Sequence, residues 1–422
     1  MALGVAAVLV AKSLLLLINL VTNAAYYQRF SFSLATPAMA PLAWLSIFIP
    51  VVGGLVVGVM ARFGSSAIRG HGIPEAMEKI LLDDSRIHPR MTWLKPVSSA
   101  VAIGTGGPFG AEGPIIATGG ALGSWIGQIF AVSGTERKIL LASGAAAGMT
   151  AIFSTPVSAV LLAIELLLFE FRAKSFIPVA MAAATAGMFR SLLLEAGPVF
   201  PMPSFSMINP SSFVAIIGLG FLLGLISVVV TKSVYAIEDA FEKLPLHWMW
   251  WPAIGGLVVG IVGLIEPRSL GVGYENITMA LSGEFTLKAA AALCVWKFVS
   301  WSIALGSGTS GGTLAPLLTL GGLIGFMVGS VLLYFFPHSG IDPHVMALVG
   351  MAALFSGCAR AVLTSTVFVF EATLQPLSLI PLLTSCSVAY LISSLLMENS
   401  IMTEKIARRG IKVPHEYHPR AN

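Results

Sequence analysis

One carboxylate stands inside a segment built largely of glycine and proline. Glu112 lies in 104-GTGGPFGAEGPIIATGGALG-123, which has apolar segments on both sides. So much glycine and proline predicts a break in the helix, followed by a new helix N-terminus near Gly110 to Gly113. Free N–H groups at such an end attract anions. We interpret Glu112 as a carboxylate that competes with a permeant anion and swings away when protonated. The alternative is a helix-capping glutamate.

The composition places this segment in a membrane. Of 422 residues, 56% are hydrophobic and only 10% are charged, whereas soluble proteins carry about 25% charged residues. The net charge of +4 is assigned to basic loops on the inner side of the membrane, and no nucleic-acid partner is expected. The apolar run 2–21 lacks a basic leader and is predicted to be a first membrane helix. The sequence thus predicts an all-α, multi-pass protein of the lipid bilayer.

The spacing of apolar runs predicts many helices, several of them short or broken. Segments 1–24 and 41–62 are long enough to span about 30 Å of hydrocarbon, and 70–95 is predicted to be a cytoplasmic loop carrying Lys79 and Lys95. Short, interrupted helices suit a transporter whose site is made of helix ends. The later predicted segments are 136–153, 156–170, 176–196, 211–235, 251–265, 287–304, 313–335, 343–355, 361–373 and 377–397.

The chain also repeats itself. Pro114 matches Pro316 at an offset of 202 (316 − 114), and the same offset joins Gly119 to Gly321. The same offset also pairs Gly148-Met149 with Gly350-Met351 and Phe153-Ser154 with Phe355-Ser356. Beyond these pairs the offset grows by four residues, and Glu165 matches Glu371. Two related halves predict a site at their interface. We divide the single transport domain 1–422 into halves 1–200 and 201–412, with a short cytoplasmic tail 413–422.

Four segments in order give the chain a family resemblance. They are 70-GHGIPE, 110-GAEGP, 311-GGTLAP and 400-SIMTEKIARRG. Together they resemble the signatures GSGIPE, GREGP and GxFxP, and the tyrosine near the last helix, of the CLC chloride channels and chloride/proton antiporters. Lys95 stands 17 positions before Glu112, as a family lysine does. The resemblance covers about residues 40–410. It implies an inverted repeat of many tilted, broken helices and a homodimer with one pore per subunit, in the inner membrane of a bacterium.

The resemblance assigns roles residue by residue. Glu112 matches the gating glutamate, which accepts the proton, and Glu165 is kept as a candidate on the proton path. The residue after it, often a second glutamate in the family, is Leu166. The anion-binding positions that the resemblance implies lie at loop–helix junctions or near the last helix. They are Gly70, His71, Gly72, Ala111, Gly113, Thr313, Leu314 and Met402.

Both side chains expected to contact the anion depart from the family pattern. His71 stands in place of a serine, and its imidazole donates one N–H when neutral and becomes a cation when protonated. The alternative is a neutral core histidine. Met402 stands in place of a tyrosine and can donate nothing, so it is either a soft wall of the site or packing.

Other motifs are interpreted as coincidental. The sequence 306-GSGTSG fits a dinucleotide-binding loop but has no βαβ unit around it. The same stretch fits an intramembrane serine protease at Ser310, yet the later histidines are in predicted loops or the tail. The three cysteines show no metal-ligand or disulfide spacing. No enzyme, cofactor or metal site is expected.

The sequence therefore predicts transport of a small monovalent anion. Chloride/proton exchange gated by Glu112 is the leading hypothesis. The alternatives are a passive CLC-type channel and an exchanger for another anion such as fluoride or nitrate, because both side-chain ligands have changed.

Overall fold

Within the residues that the structure describes, the protein is a bundle of helices arranged as two sets of eight and a short last helix. The computed structural model describes residues 1–41, 43–194, 197–205, 209–411 and 413, and these ranges contain no β-strand. The first set is α1 (Ala2–Tyr27), α2 (Phe48–Phe63), α3 (Ile73–Leu82), α4 (Met91–Gly104), α5 (Glu112–Ile129), α6 (Gly134–Phe153), α7 (Pro156–Leu162) and α8 (Ala173–Leu193). A π-helical turn, Ala163–Leu168, extends α7.

The second set follows the same order. It is α9 (Pro210–Glu242), α10 (Trp251–Ile265), α11 (Tyr274–Leu281), α12 (Leu287–Gly306), α13 (Leu314–Phe335), α14 (Pro343–Ala359), α15 (Val362–Thr373) and α16 (Leu379–Leu396), with α17 (Glu404–Ala407) at the end. Eight described helical segments are long and apolar enough to cross a membrane, and three shorter ones are apolar. The multi-pass, all-α prediction is confirmed.

The predicted break at the glycine-rich segment is present. The helix α4 ends at Gly104, and α5 begins at Glu112. Between them Gly106 has φ 102°, a value that favours glycine. The glycines after Glu112 do not break α5 again, and Pro114 is tolerated because it lies in the first turn. The start of α5 thus places one set of helix N-terminal N–H groups next to a single carboxylate.

The two sets are related by reciprocal contacts, which are the mark of two-fold symmetry. A Cβ atom on Gly54 would lie 2.1 Å from the carbonyl oxygen of Pro252, and one on Gly256 would lie 2.3 Å from that of Pro50. The helices α2 and α10 therefore cross backbone against backbone, which small residues permit in membranes. Because each contact has its mirror, the repeat read from the sequence is also a repeat of the fold.

The register of that repeat differs from the prediction after α13. A Cβ atom on Gly119 would lie 2.2 Å from the oxygen of Gly144, and one on Gly321 would lie 2.3 Å from that of Gly350. The counterpart of Gly350 is therefore Gly144, and the matching of Gly148 with Gly350 was wrong by four residues. Residues four apart share one face of a helix, so a shift of one turn preserved the apparent match. The four-residue change of offset therefore falls in the turn that joins α5 to α6, and not after Phe153.

Most of the predicted loop 70–95 is helical. It contains α3 and the start of α4, and Lys95 lies inside α4 with 1% of its surface exposed. The prediction of Lys95 as a loop charge was wrong. Its ammonium group instead donates to the carbonyl oxygens of Ile68 (2.8 Å) and Gly70 (2.9 Å). These acceptors come from an earlier turn of the chain, which the sequence pattern does not reveal.

Candidate functional site

Three helix N-termini meet at the centre of the protein. They begin α3 after Gly72, α5 after Ala111 and α13 after Thr313. The segments before α5 and α13 pair with each other: the N–H of Gly312 donates to the oxygen of Gly110 at 3.0 Å, with the reverse bond at 3.4 Å. Helix N-termini carry about half a positive charge each. Their meeting point is an anion-binding arrangement made of backbone.

The junction before α3 is held tightly. Gly70 and Gly72 have φ 97° and 98°, so both need glycine. The N–H of Gly72 donates to Oε2 of Glu75 at 2.7 Å, which caps the start of α3. The carbonyl of His71 lies against Gly113, since a Cβ atom there would come within 2.1 Å of its oxygen. The α3 and α5 N-termini are therefore in direct backbone contact.

Glu112 projects from the start of its own helix to the start of another. Its Oε1 atom accepts the N–H of Ala315 at 2.8 Å, and only 1% of the residue is exposed. Its Oε2 atom is buried without a hydrogen bond among the described residues. The carboxylate therefore lies where the N-terminus of α13 would hold an anion. The predicted contacts at Ala111, Gly113, Thr313 and Leu314 all belong to the two junctions that surround it.

His71 faces a different environment. The residue is 6% exposed, and its Nδ1 atom has no hydrogen bond among the described residues. A cavity of about 500 Å³ reaches His71 and Gly70 but is not lined by Glu112. The cavity also contains charged side chains from several elements, namely Arg69, Glu75, Glu78, Lys79, Glu238, Glu242, Lys405 and Arg409.

Comparison with known proteins assigns this arrangement to a family. The family model described as "Voltage gated chloride channel" matches residues 52–394. The chain belongs to that family, the CLC family. It is 30% identical over 384 residues to the "H(+)/Cl(-) exchange transporter ClcA" of Salmonella arizonae, covering 87% of this chain and 79% of the relative. A transporter of the same name from Yersinia pestis is 29% identical over 394 residues, covering 87% and 78%.

Solved CLC structures share the fold. A "slow cyanobacterial Cl-/H+ antiporter" aligns with a TM-score of 0.86 and 24% identity over 97% of both chains. A "CLC-type fluoride/proton antiporter" aligns with a TM-score of 0.73 and 21% identity over 95% of this chain and 96% of that one. The resemblance inferred from the four sequence segments is thereby confirmed, and with it the CLC-type inverted repeat.

Met402 of this CLC protein is buried in the turn before α17. The turn is tied to the core because the N–H of Ile401 donates to the oxygen of Cys358 at 3.0 Å. Three residues later, Lys405 forms an ion pair with Glu75 at 2.9 Å, which joins this segment to the α3 junction. The segment therefore reaches the site, while a contact between Met402 and an anion remains a prediction.

Glu165 lies at a boundary between the two halves. Its carboxylate accepts the N–H groups of Leu363 (3.1 Å) and Thr364 (2.9 Å) and the Thr364 hydroxyl (2.5 Å) at the start of α15. Glu371 does the same for α7, accepting the N–H groups of Val157 (3.0 Å) and Ser158 (2.8 Å). Each half thus caps a helix of the other. These contacts describe a structural carboxylate, and a proton role for Glu165 stays untested.

Sequence reasoning missed two residues of the second half. Lys297 is fully buried and donates to the oxygens of Ser269 (3.0 Å) and Gly271 (2.9 Å), as Lys95 does in the first half. Tyr274 begins α11 after Gly271-Val272-Gly273, the counterpart of Gly70-His71-Gly72. Lys297 was within reach of sequence reasoning, because it follows Lys95 by the repeat offset of 202 (297 − 95). Tyr274 was not, because the matching position of the first half is Ile73.

The surroundings of Ser310 do not support a role as the nucleophile of an intramembrane protease. Its hydroxyl shares a hydrogen bond with Ser99 at 2.8 Å and is fully buried. His344, one of the later histidines, lies elsewhere and contacts the oxygen of Leu281 through Nδ1 at 2.8 Å. His415 and His418 lie outside the described residues. Among the described residues, no group of three or more metal-ligating side chains occurs.

Proposed function

We propose that the protein exchanges a small monovalent anion, with chloride as the leading candidate, for protons, and that Glu112 is both gate and proton acceptor. One observation carries this proposal. The Glu112 carboxylate accepts the Ala315 N–H at the start of α13, which is the place an anion would take. Carboxylate and anion therefore compete for the same donors.

Protonation changes that competition. A charged carboxylate is attracted to the helix N-terminus, whereas a neutral carboxylic acid is attracted much less. An anion can then displace it, and the proton travels with the displaced side chain. Since Leu166 cannot titrate, we infer that protons reach the site from the inner side through water in the cavity beside His71. The four basic residues around that cavity support our inference that it opens on the cytoplasmic side.

The test is purified protein in liposomes, with anion efflux and proton movement recorded together. A chloride gradient should drive protons uphill, and Glu112→Gln should abolish this while anion flux continues, since glutamine keeps the size but carries no proton. Glu136→Gln is the matched control, because Glu136 is an exposed carboxylate that caps α6 away from the site. Wild-type protein that moves no protons uphill would replace the exchanger by a passive channel.

The identity of the anion is tested in the same assay. His71 and Met402 remove two hydroxyl donors that the family resemblance implies. Gradients of nitrate and of fluoride should therefore be compared with chloride under identical conditions. Stronger proton pumping by fluoride or nitrate would overturn chloride as the leading candidate while preserving the exchange mechanism.

We also infer a homodimer in a bacterial inner membrane. The helices α8 and α16 carry large exposed apolar side chains, including Leu192, Ile380 and Leu395 at 69%, 71% and 72% exposure. These faces meet lipid or a second copy of the chain. Deletion of 413–422, which apart from Val413 lies outside the described residues, should leave a cross-linked dimer intact. A shift to monomers would give that tail a role in assembly.

A further inference from the structure

A tyrosine of the second half points its hydroxyl at the gate of the first half. Tyr274 is the first residue of α11. Its ring packs edge-on against Phe153, with centroids 5.8 Å apart, and against Phe200, with centroids 5.7 Å apart. The turn before it is fixed because Lys297 holds the oxygens of Ser269 and Gly271. The ring therefore has a defined position, set by packing on two sides and by the turn that precedes it.

The hydroxyl lies at the start of α5. It interacts with the backbone N–H of Ala111 and with the Glu112 carboxylate. Neither contact has the geometry of a full hydrogen bond, because the Tyr274 hydroxyl and Oε2 of Glu112 are both buried and unpartnered among the described residues. Two unpaired buried polar atoms that face each other call for an explanation, since such groups are nearly always paired.

Two tyrosines that are buried elsewhere, Tyr26 and Tyr235, show the ordinary arrangement. The hydroxyl of Tyr26 donates to the oxygen of Thr105 at 3.0 Å, and that of Tyr235 donates to the oxygen of Ile401 at 2.8 Å. Each is satisfied by one carbonyl. The Tyr274 hydroxyl instead has the Glu112 carboxylate as its neighbour. A phenylalanine would fill the same space between Phe153 and Phe200, so packing does not account for the hydroxyl.

We propose that the Tyr274 hydroxyl is an anion ligand, and that it holds Glu112 when no anion is present. This inference rests on the proposed function. With Glu112 charged, a small rotation lets the phenol donate to Oε2, and a hydrogen bond to a charged oxygen is among the strong ones. After Glu112 is protonated and leaves, the same O–H donates to the anion that replaces it. Tyr274 thereby supplies a hydroxyl donor that neither His71 nor Met402 can supply.

The test measures anion affinity with the gate silenced. In a Glu112→Gln background, chloride, nitrate and fluoride are titrated calorimetrically into purified dimer before and after Tyr274→Phe. The affinity should fall on the order of tenfold, as expected for the loss of one hydrogen bond to a charged group. Tyr26→Phe is the matched control, because it removes a buried hydroxyl that is bonded to Thr105 and should leave affinity unchanged.

A second variant keeps the test independent of folding. Replacing Tyr274 by 3-fluorotyrosine retains the ring and makes the phenol a stronger donor, so anion affinity should rise. Unchanged affinity in either variant would overturn the role of Tyr274 and leave the proposed function standing. If the Glu112→Gln protein binds none of the three anions, the proposed function fails, and this inference fails with it.

Discussion

The two halves of the molecule build the same frame and put different chemistry on it. In the first half a buried lysine, Lys95, holds the oxygens of Ile68 and Gly70 before a short helix. In the second half Lys297 holds the oxygens of Ser269 and Gly271 at distances that differ by no more than about 0.2 Å. The frame is backbone, glycine and one ammonium group, and the repeat has kept it in both copies.

The side chains on that frame are not equivalent. Glu112 begins α5, whereas Leu314 begins α13, and His71 lies between the glycines where the second half has Val272. At these matched positions the carboxylate and the imidazole belong to the first half, while the second half supplies backbone donors and the Tyr274 hydroxyl. Symmetry therefore creates a site lined by both halves, and the departures from symmetry give its two sides different side-chain chemistry.

The largest expected effect comes from filling a helix crossing. Gly119→Ala and Gly321→Ala each place a Cβ atom 2.2–2.3 Å from a carbonyl oxygen of the neighbouring helix. Overpacking of this kind costs about 1–3 kcal/mol or more, because backbone rather than a flexible side chain must move. Both variants should lose most of their monodisperse peak in size-exclusion chromatography.

Gly218→Ala is the control for these two variants. Nothing lies within 4 Å of a Cβ atom at Gly218, and alanine favours the helix. If Gly321→Ala is tolerated and Gly119→Ala is not, the two crossings are not equivalent and the corrected register of the repeat is wrong.

A smaller effect is expected from the two buried lysines. Lys95→Met or Lys297→Met leaves a pair of buried carbonyl groups without a donor, and each such group costs about 1–3 kcal/mol. Thermal unfolding in detergent should show similar decreases in the midpoint for both variants. Lys288→Met, at an exposed position of α12, should change little. A large decrease for only one lysine would show that the frame is essential in only one half.

Much of the fold could be predicted from the sequence. Long apolar runs and glycine–proline interruptions located the helix from Gly134 to Phe153 and the break before Glu112, because both signals are local. The predicted anion site rests on the same break. Lys95 could not be placed, since its acceptors at Ile68 and Gly70 meet it only in the folded chain.

The misplaced register has a physical cause too. A helix repeats its faces every 3.6 residues, so matching Gly148 to Gly350 kept the same apolar pattern as the observed match with Gly144. Only the contact with the neighbouring helix distinguishes them. The helix at Tyr274–Leu281 was overlooked because it is short and carries Glu275 and Asn276 in its first turn.

The reciprocal caps give the next prediction. Glu165 accepts three hydrogen bonds at the start of α15, and Glu371 accepts two at the start of α7. Alanine at either position should lower stability by about 0.5–2 kcal/mol, with the greater loss at 165. Glu165→Gln should retain proton coupling in liposomes. Loss of coupling in that variant, with Glu371→Gln unaffected, would place Glu165 on the proton path.

The smallest effect is expected at His71, where the halves differ by an imidazole. An anion raises the pKa of a neighbouring imidazole, so by linkage a lower pH tightens anion binding. Burial opposes the charge, and the groups around His71 are of both signs: Glu75, Lys95 and Lys405. Burial lowers the pKa of His71 from the ordinary value of about 6.5 to about 4, so chloride affinity should rise by about tenfold or less between pH 7 and pH 4.

The measurement is calorimetric titration in the Glu112→Gln background, so that the carboxylate contributes no proton. His71→Ser should flatten the pH dependence while keeping a donor at the α3 junction, because a hydroxyl does not titrate in this range. His344→Ser, which removes an imidazole bonded to Leu281, should leave the dependence as it was. Equal affinities at both pH values would make His71 a neutral core histidine. The asymmetry between the halves would then rest on Glu112 and Tyr274 alone.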